Sequence, residues 1–140
     1  MDGEQRAKIL IVEDDLLLSM VEERLVNNLG FNVVGKAVTG EEAIQKAADL
    51  NPDVIIMDIS LKGSMNGIDA MKEIRKTSQV PVIYLSGSSD ENSLEQAKET
   101  NYSGFLIKPV TKGDLEAPLI KALNEGQSGS EENLRTIDSD

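Results

Sequence analysis

Runs of consecutive apolar residues alternate along this chain with stretches whose apolar residues recur at helical spacing. Val54-Ile55-Ile56-Met57 is short, continuous and bounded by turn formers, and Ile9-Leu10-Ile11-Val12 is a second all-apolar run. A run bounded in that way predicts a strand buried on both faces, as in the middle of a parallel sheet. Val80-Pro81-Val82-Ile83-Tyr84-Leu85 and Gly104-Phe105-Leu106-Ile107 predict two further strands, and Val33-Val34-Gly35-Lys36-Ala37 a weaker one nearer an edge. Between them, Leu17, Met20, Val21, Leu25 and Leu29 predict a helix ended by Gly30. Thr39 followed by Glu42 is a capping box, opening a helix that points Ala43, Ile44, Ala47 and Leu50 inward until Asn51-Pro52. A third helix, about Ile68 to Lys76, carries Ile68, Met71 and Ile74 on one side. Ser88 and Glu91 form a second capping-box pattern, ahead of a helix from about Asp90 to Thr100 with only Leu94 and Ala97 well placed for a core. Thr111 is positioned to cap a last helix ending near Asn124, with Pro118 expected to bend or restart it.

Strands that alternate with helices predict a doubly wound α/β domain with a parallel sheet. Right-handed crossovers then bring every strand's carboxyl end to one edge. The residues themselves do not reveal the strand order. At 140 residues one domain is expected, with residues 1–7 as a flexible leader, 8–125 as the folded unit and 126–140 as a disordered, acidic tail rich in Gly, Ser and Glu.

Charge and composition narrow the chemistry. The net charge of −11 with no basic cluster argues against nucleic-acid binding by this chain alone and against anionic membrane surfaces. No apolar run approaches a membrane span, and the first residues do not make a signal peptide. Absence of Cys fits a cytoplasmic location, and absence of His excludes histidine catalysis, ligation or phosphorylation within the chain.

What collects at the carboxyl edge carries the functional reading. The first strand delivers Glu13 and Asp14, the third Asp58, the fourth Ser86 and the fifth Lys108. Singly, each has an ordinary account: helix-dipole complement, loop hydroxyl, solvated charge. Jointly, clustered carboxylates repel one another and call for a counter-charge. Oxygen-only donors suit a hard cation such as Mg²⁺, which usually binds one or two carboxylates with a phosphoryl group. One carboxylate can also attack phosphorus to give an aspartyl phosphate, with the ammonium and the metal neutralising the phosphoryl in transit.

The stretches Ile9 to Asp15, Pro52 to Asp58, Val82 to Gly87 and Gly104 to Pro109 together closely resemble the receiver domain of two-component response regulators, over about residues 8 to 125. The resemblance implies a flavodoxin-like fold with strand order 2-1-3-4-5 and five helices. It implies Asp58 as phosphoacceptor, Asp14 as direct Mg²⁺ ligand with Asp58, Glu13 as a ligand through water, and the backbone carbonyl of Ser60 as a further ligand. Ser86 matches the switch hydroxyl, Phe105 the aromatic that turns inward with it, and Lys108 the phosphoryl-binding lysine. A cis bond is implied before Pro109. Expected partners are a histidine kinase or phosphotransfer protein and a downstream effector, with no external substrate, so the domain is not an enzyme in the usual sense. The loop from Asp58 to Gly67 is one residue longer than is common in the family. Lys62, Asn66 and Gly87 depart from the usual residues, and Pro118 puts the last helix's use as a dimer face in doubt. Two alternatives stand beside this reading. A Mg²⁺-dependent aspartyl-phosphate phosphatase would usually need a second Asp where Ser60 stands. A non-phosphorylated pseudo-receiver would not need the full set of acids, hydroxyl and lysine.

Overall fold

The computed structural model describes residues 6–87 and 91–139, with side chains described to Glu125 except that of Glu91. Elements alternate along the chain: β1 (Lys8–Val12), α1 (Leu16–Asn28), β2 (Asn32–Ala37), α2 (Gly40–Leu50), β3 (Val54–Asp58), α3 (Gly67–Ile74), β4 (Val82–Ser86), α4 (Glu91–Lys98), β5 (Gly104–Ile107) and α5 (Lys112–Ser139). The strands form one parallel sheet ordered β2-β1-β3-β4-β5. This is the flavodoxin-like arrangement implied by the family resemblance, with the weaker β2 at an edge.

Alternation along each strand divides the core in two. Ile9, Ile11, Val54, Ile56, Ile83 and Leu85 meet Val26 of α1 and Leu115, Leu119 and Ala122 of α5. Leu10, Val12, Ile55, Met57, Val82 and Tyr84 meet Ala43 of α2, Ile68, Met71 and Ile74 of α3 and Ala97 of α4. Both faces of the central strands are therefore dry, which explains their unbroken apolar runs.

The expected caps are built at two helices. Thr39 Oγ1 accepts from the Glu42 N–H at 3.0 Å, and Glu42 in turn accepts from Val38 N–H at 2.9 Å. Thr111 and Asp114 bond reciprocally at the start of α5. Asn66 and Asp69 form a further capping box at α3. The Ser88–Glu91 pattern and most of the expected leader lie outside the described residues.

Two expectations are corrected. The inward stripe of α1 is not the one predicted: Leu17 is 70% exposed, Met20 61% and Val21 45%, whereas Ser19, Glu22 and Val26 are buried. The Asp15 cap and the chain's entry from β1 set the helix's rotation, and Leu25, Val26 and Leu29 satisfy the core below. The last helix neither stops near Asn124 nor restarts at Pro118, but continues to Ser139. Pro118 is tolerated because its ring fills the space left by Gly104 on β5, where an added Cβ would stand 2.9 Å from the proline Cβ. Past Asn124 no proline follows to interrupt the backbone ladder.

Candidate functional site

The three strands β1, β3 and β5 end in phase. Glu13, Asp58 and Lys108 each follow the alternation of residues facing α1 and α5, so their side chains emerge beyond the same face of the sheet. Glu13 and Asp58 are buried, and Asp14 is half-buried. Carboxylate oxygens of Glu13, Asp14 and Asp58 lie within 4.8 Å of one another. Lys108 Nζ stands 3.3 Å from Asp58 Oδ1 and 3.3 Å from Glu13 Oε1, with 15% of its side chain exposed. The cis Lys108–Pro109 bond is present.

Main-chain donors hold the acids in place. Ser60 N–H donates to Asp58 Oδ1 at 3.0 Å, Asp15 N–H to Glu13 Oε2 at 3.2 Å, and Lys62 N–H to Asp14 Oδ2 at 3.1 Å. The last bond ties the loop after β3 to the end of β1. Gly67 closes that loop: its N–H donates to Ile59 O at 2.9 Å, and a Cβ there would stand 2.2 Å from the Asp58 carbonyl oxygen. No other residue fits so close an approach.

Burial, then the neighbouring Glu13 carboxylate, raise the Asp58 pKa to about 6, against the pull of Lys108 and the Ser60 N–H. Burial opposes the Lys108 ammonium, but Asp58 and Glu13 together outweigh it and raise its pKa. Three carboxylates facing one ammonium leave the cluster short of positive charge. An excess of hard oxygen donors fits a divalent cation of the Mg²⁺ type.

Ser86 is buried at the end of β4, and its carbonyl accepts the Lys108 N–H at 2.8 Å. Its phase along the strand is that of Val82 and Tyr84, on the side of α3 and α4. Phe105 lies on that side too, half-buried, its ring centroid 6.3 Å from Tyr84 and 5.8 Å from Tyr102. Ser60 is exposed at the rim.

Two features escaped the sequence pattern. Glu22, 3% exposed, reaches from α1 to the Glu13 side chain, and burial followed by the Glu13 carboxylate pushes its pKa up to about 9. A glutamate in phase with Val26 and Leu29 was the available signal, overridden by the more apolar stripe beside it. Arg75 was also missed. It donates to Thr100 O at 2.8 Å and Val80 O at 2.7 Å, while the Tyr84 hydroxyl meets Thr100 Oγ1 at 2.6 Å. This network anchors the chain just after α4 to α3 and β4.

The family profile described as "Response regulator receiver domain" matches residues 9–120. The chemotaxis protein CheY of Thermotoga maritima is 32% identical over 119 residues, spanning 84% of this chain and 95% of that one. The transcriptional regulatory protein PdtaR of Mycobacterium tuberculosis is 32% identical over 108 residues, 77% of this chain but 52% of its own length. This chain thus spans about half the length of some curated relatives that it matches. Among solved structures, the signal receiver domain of a modulated diguanylate cyclase from Desulfovibrio desulfuricans G20 aligns with TM-score 0.81 and 31% identity, covering 87% of this chain and 97% of that one. Sequence, fold and the acidic pocket with its lysine converge: the chain belongs to the response regulator receiver domain family of two-component signalling.

Proposed function

We propose that this domain is a phosphorylation-controlled switch in which Asp58 accepts a phosphoryl group from a histidine kinase or a phosphotransfer protein. The observation that carries the reading is the Lys108 ammonium, 3.3 Å from both Asp58 and Glu13 at the mouth of the acidic cluster. An Asp58 oxygen attacks phosphorus, an O–P bond forms, and the electron pair of the breaking N–P bond returns to the donor's imidazole. Lys108 transfers its contacts from the two carboxylates to the phosphoryl oxygens. Asp14 and Asp58 would hold Mg²⁺ directly, the Ser60 carbonyl would add a ligand, and Glu13 would act through water. When bound, the ion supplies charge neutralisation for the phosphoryl group.

Ser86 then donates its hydroxyl to a phosphoryl oxygen, and Phe105 repacks between Tyr84 and Tyr102, biasing α4 and the Ser86 loop between two arrangements. A downstream effector reads that surface. The folded unit is residues 8–125 with 126–140 outside it, the setting is cytoplasmic, and no external substrate is turned over. No helix among the described residues is long and apolar enough to cross a membrane.

The test is mass spectrometry after treatment with acetyl phosphate and Mg²⁺. One added phosphoryl group is expected, absent without Mg²⁺ and absent in Asp58→Asn. An adduct that persists in the mutant overturns the assignment. Turnover of generic phosphate esters would favour a phosphatase instead.

A further inference from the structure

The loop between β3 and α3 reaches back to the end of β1, where one of its amides meets an acid of the site. Lys62 N–H donates to Asp14 Oδ2 at 3.1 Å. A carboxylate has two oxygens, so this bond fixes the group and leaves Oδ1 for a cation. Carboxylates that ligate metals are themselves held by outer hydrogen bonds of this kind. The donor belongs to the main chain. Its place therefore depends on what holds the loop, not on the Lys62 side chain.

Lys62, Gly63 and Ser64 are exposed, between two inward side chains. Leu61 is buried in the core on the side of α2 and α3, and the half-buried Met65 packs against the same cluster. Met65 lies directly over Gly40, the first residue of α2. A Cβ at position 40 would stand 2.8 Å from Met65 Cγ, 2.9 Å from its Sδ and 3.2 Å from its Cβ. Glycine is a poorer helix residue than alanine, so helix stability does not account for Gly40. The close approach of Met65 does. Beside this contact, Ser64 Oγ donates to Glu41 Oε2 at 3.1 Å. That bond is exposed and competes with water, so the Met65 contact is the firmer tie between the loop and α2.

We propose that Met65 is a positioning residue: seated on Gly40, it holds the β3–α3 loop so that the Lys62 N–H keeps Asp14 turned toward the cation. The inference rests on reading Asp58 as a Mg²⁺-dependent phosphoacceptor. It makes the start of α2, which supplies none of the clustered carboxylates, part of the support of the site.

The test combines calorimetric titration with Mg²⁺, hydrogen exchange of the Lys62 amide followed by NMR in EDTA, and thermal melting. Wild type is compared with Gly40→Ala, Met65→Ala, the two together, and Lys62→Ala. Gly40→Ala fills the seat, and Met65→Ala empties it. Each should bind Mg²⁺ more weakly by about threefold or more, the scale of coupling within one contact network. Each should also speed exchange of the Lys62 amide. The double variant should bind no more weakly than the weaker single one, because both changes remove the same contact. Lys62→Ala loses the ammonium but keeps the N–H, so it should bind no more weakly than wild type. Wild-type affinity in the folded single variants, or unchanged exchange of the Lys62 amide, overturns the inference while leaving the phosphoacceptor reading intact. Additive losses in the double variant, or equal weakening in Lys62→Ala, do the same. Failure of both single variants to fold makes the contact a requirement of the fold and overturns it as well. Absence of Mg²⁺ binding by wild type overturns the phosphoacceptor reading, and this inference with it.

Discussion

Asp58 is buried beside Glu13, and its pKa is raised from 3.8 to about 6. A folded-state pKa above the unfolded one means that the native state binds the extra proton. The associated stability is complete below about pH 3.8 and is lost as pH rises through about 6. Metal-free wild type should therefore lose stability across this window relative to Asp58→Asn, which nearly conserves shape and cannot ionise. At pH 7.5 in EDTA the mutant should be the more stable by about 1 kcal/mol, the size of a typical single substitution. The gap should narrow at pH 4.5. Thermal melts at both pH values decide the matter, and a mutant that melts lower at pH 7.5 would show that the carboxylates do not repel. Gly67 makes a second residue-scale case. Its missing Cβ leaves room for the Asp58 carbonyl, so Gly67→Ala should cost about 1–3 kcal/mol as overpacking does and should impair phosphorylation. Normal labelling by acetyl phosphate in a normally stable Gly67→Ala would contradict this account of the loop.

At the scale of elements, α1 reverses the order of importance that its apolar pattern suggests. Leu17 and Met20 lie in water, whereas Val26 is fully buried against the sheet. Leu17→Gln and Met20→Gln should each change stability by no more than about 0.5 kcal/mol. Val26→Ala should lower it by about 1–2 kcal/mol through lost burial and an incompletely filled space. Urea midpoints for the three variants test the rotation of the helix directly. The thin α4 is a different case. Ala97 is its one fully buried hydrophobic side chain among those described, and Arg75 and Tyr84 secure only the chain beyond its C-terminal end. Few apolar contacts permit local opening at small free-energy cost. Amides of α4 should exchange with solvent faster than those of α3, and phosphorylation should alter that rate if α4 belongs to the switch.

The whole molecule carries a net charge of −11, with part of that charge concentrated in the acidic pocket. Monovalent salt should stabilise it modestly by screening. Mg²⁺ at the same ionic strength should do more, by about 2.7 kcal/mol at a hundred times its dissociation constant. Asp58→Asn should gain much less from the ion, because a carboxylate ligand has become an amide. Equal responses to Mg²⁺ in the two proteins would dissolve the metal site into general screening. The C-terminal extension of α5 is tested by truncation at Glu125. Among the described side chains, Leu115, Leu119 and Ala122 are the buried ones of α5, and Glu125 still accepts from Ser103 at 2.7 Å. The truncated chain should melt with the full one, and a fall of several degrees would show that the extension packs on the domain.

Local chemistry was legible in the residues themselves. Unbroken apolar runs located β1 and β3, because a strand covered on both faces has no polar side to show. Thr39 and Thr111 marked helix starts, since a hydroxyl there bonds the open N–H groups of the first turn. Glu13, Asp14, Asp58, Ser86 and Lys108 are identifiable from the sequence as strand-terminal groups. Strand order was not, because each apolar run is equally suited to several neighbours; it came from the resemblance to a family. The tertiary structure alone decided how α1 is turned, that Glu22 reaches Glu13, that Arg75 ties α3 to the end of α4, and that Gly104 makes room for Pro118. Each depends on residues of different elements meeting in space, and periodicity within one segment does not encode what a neighbouring element places against it.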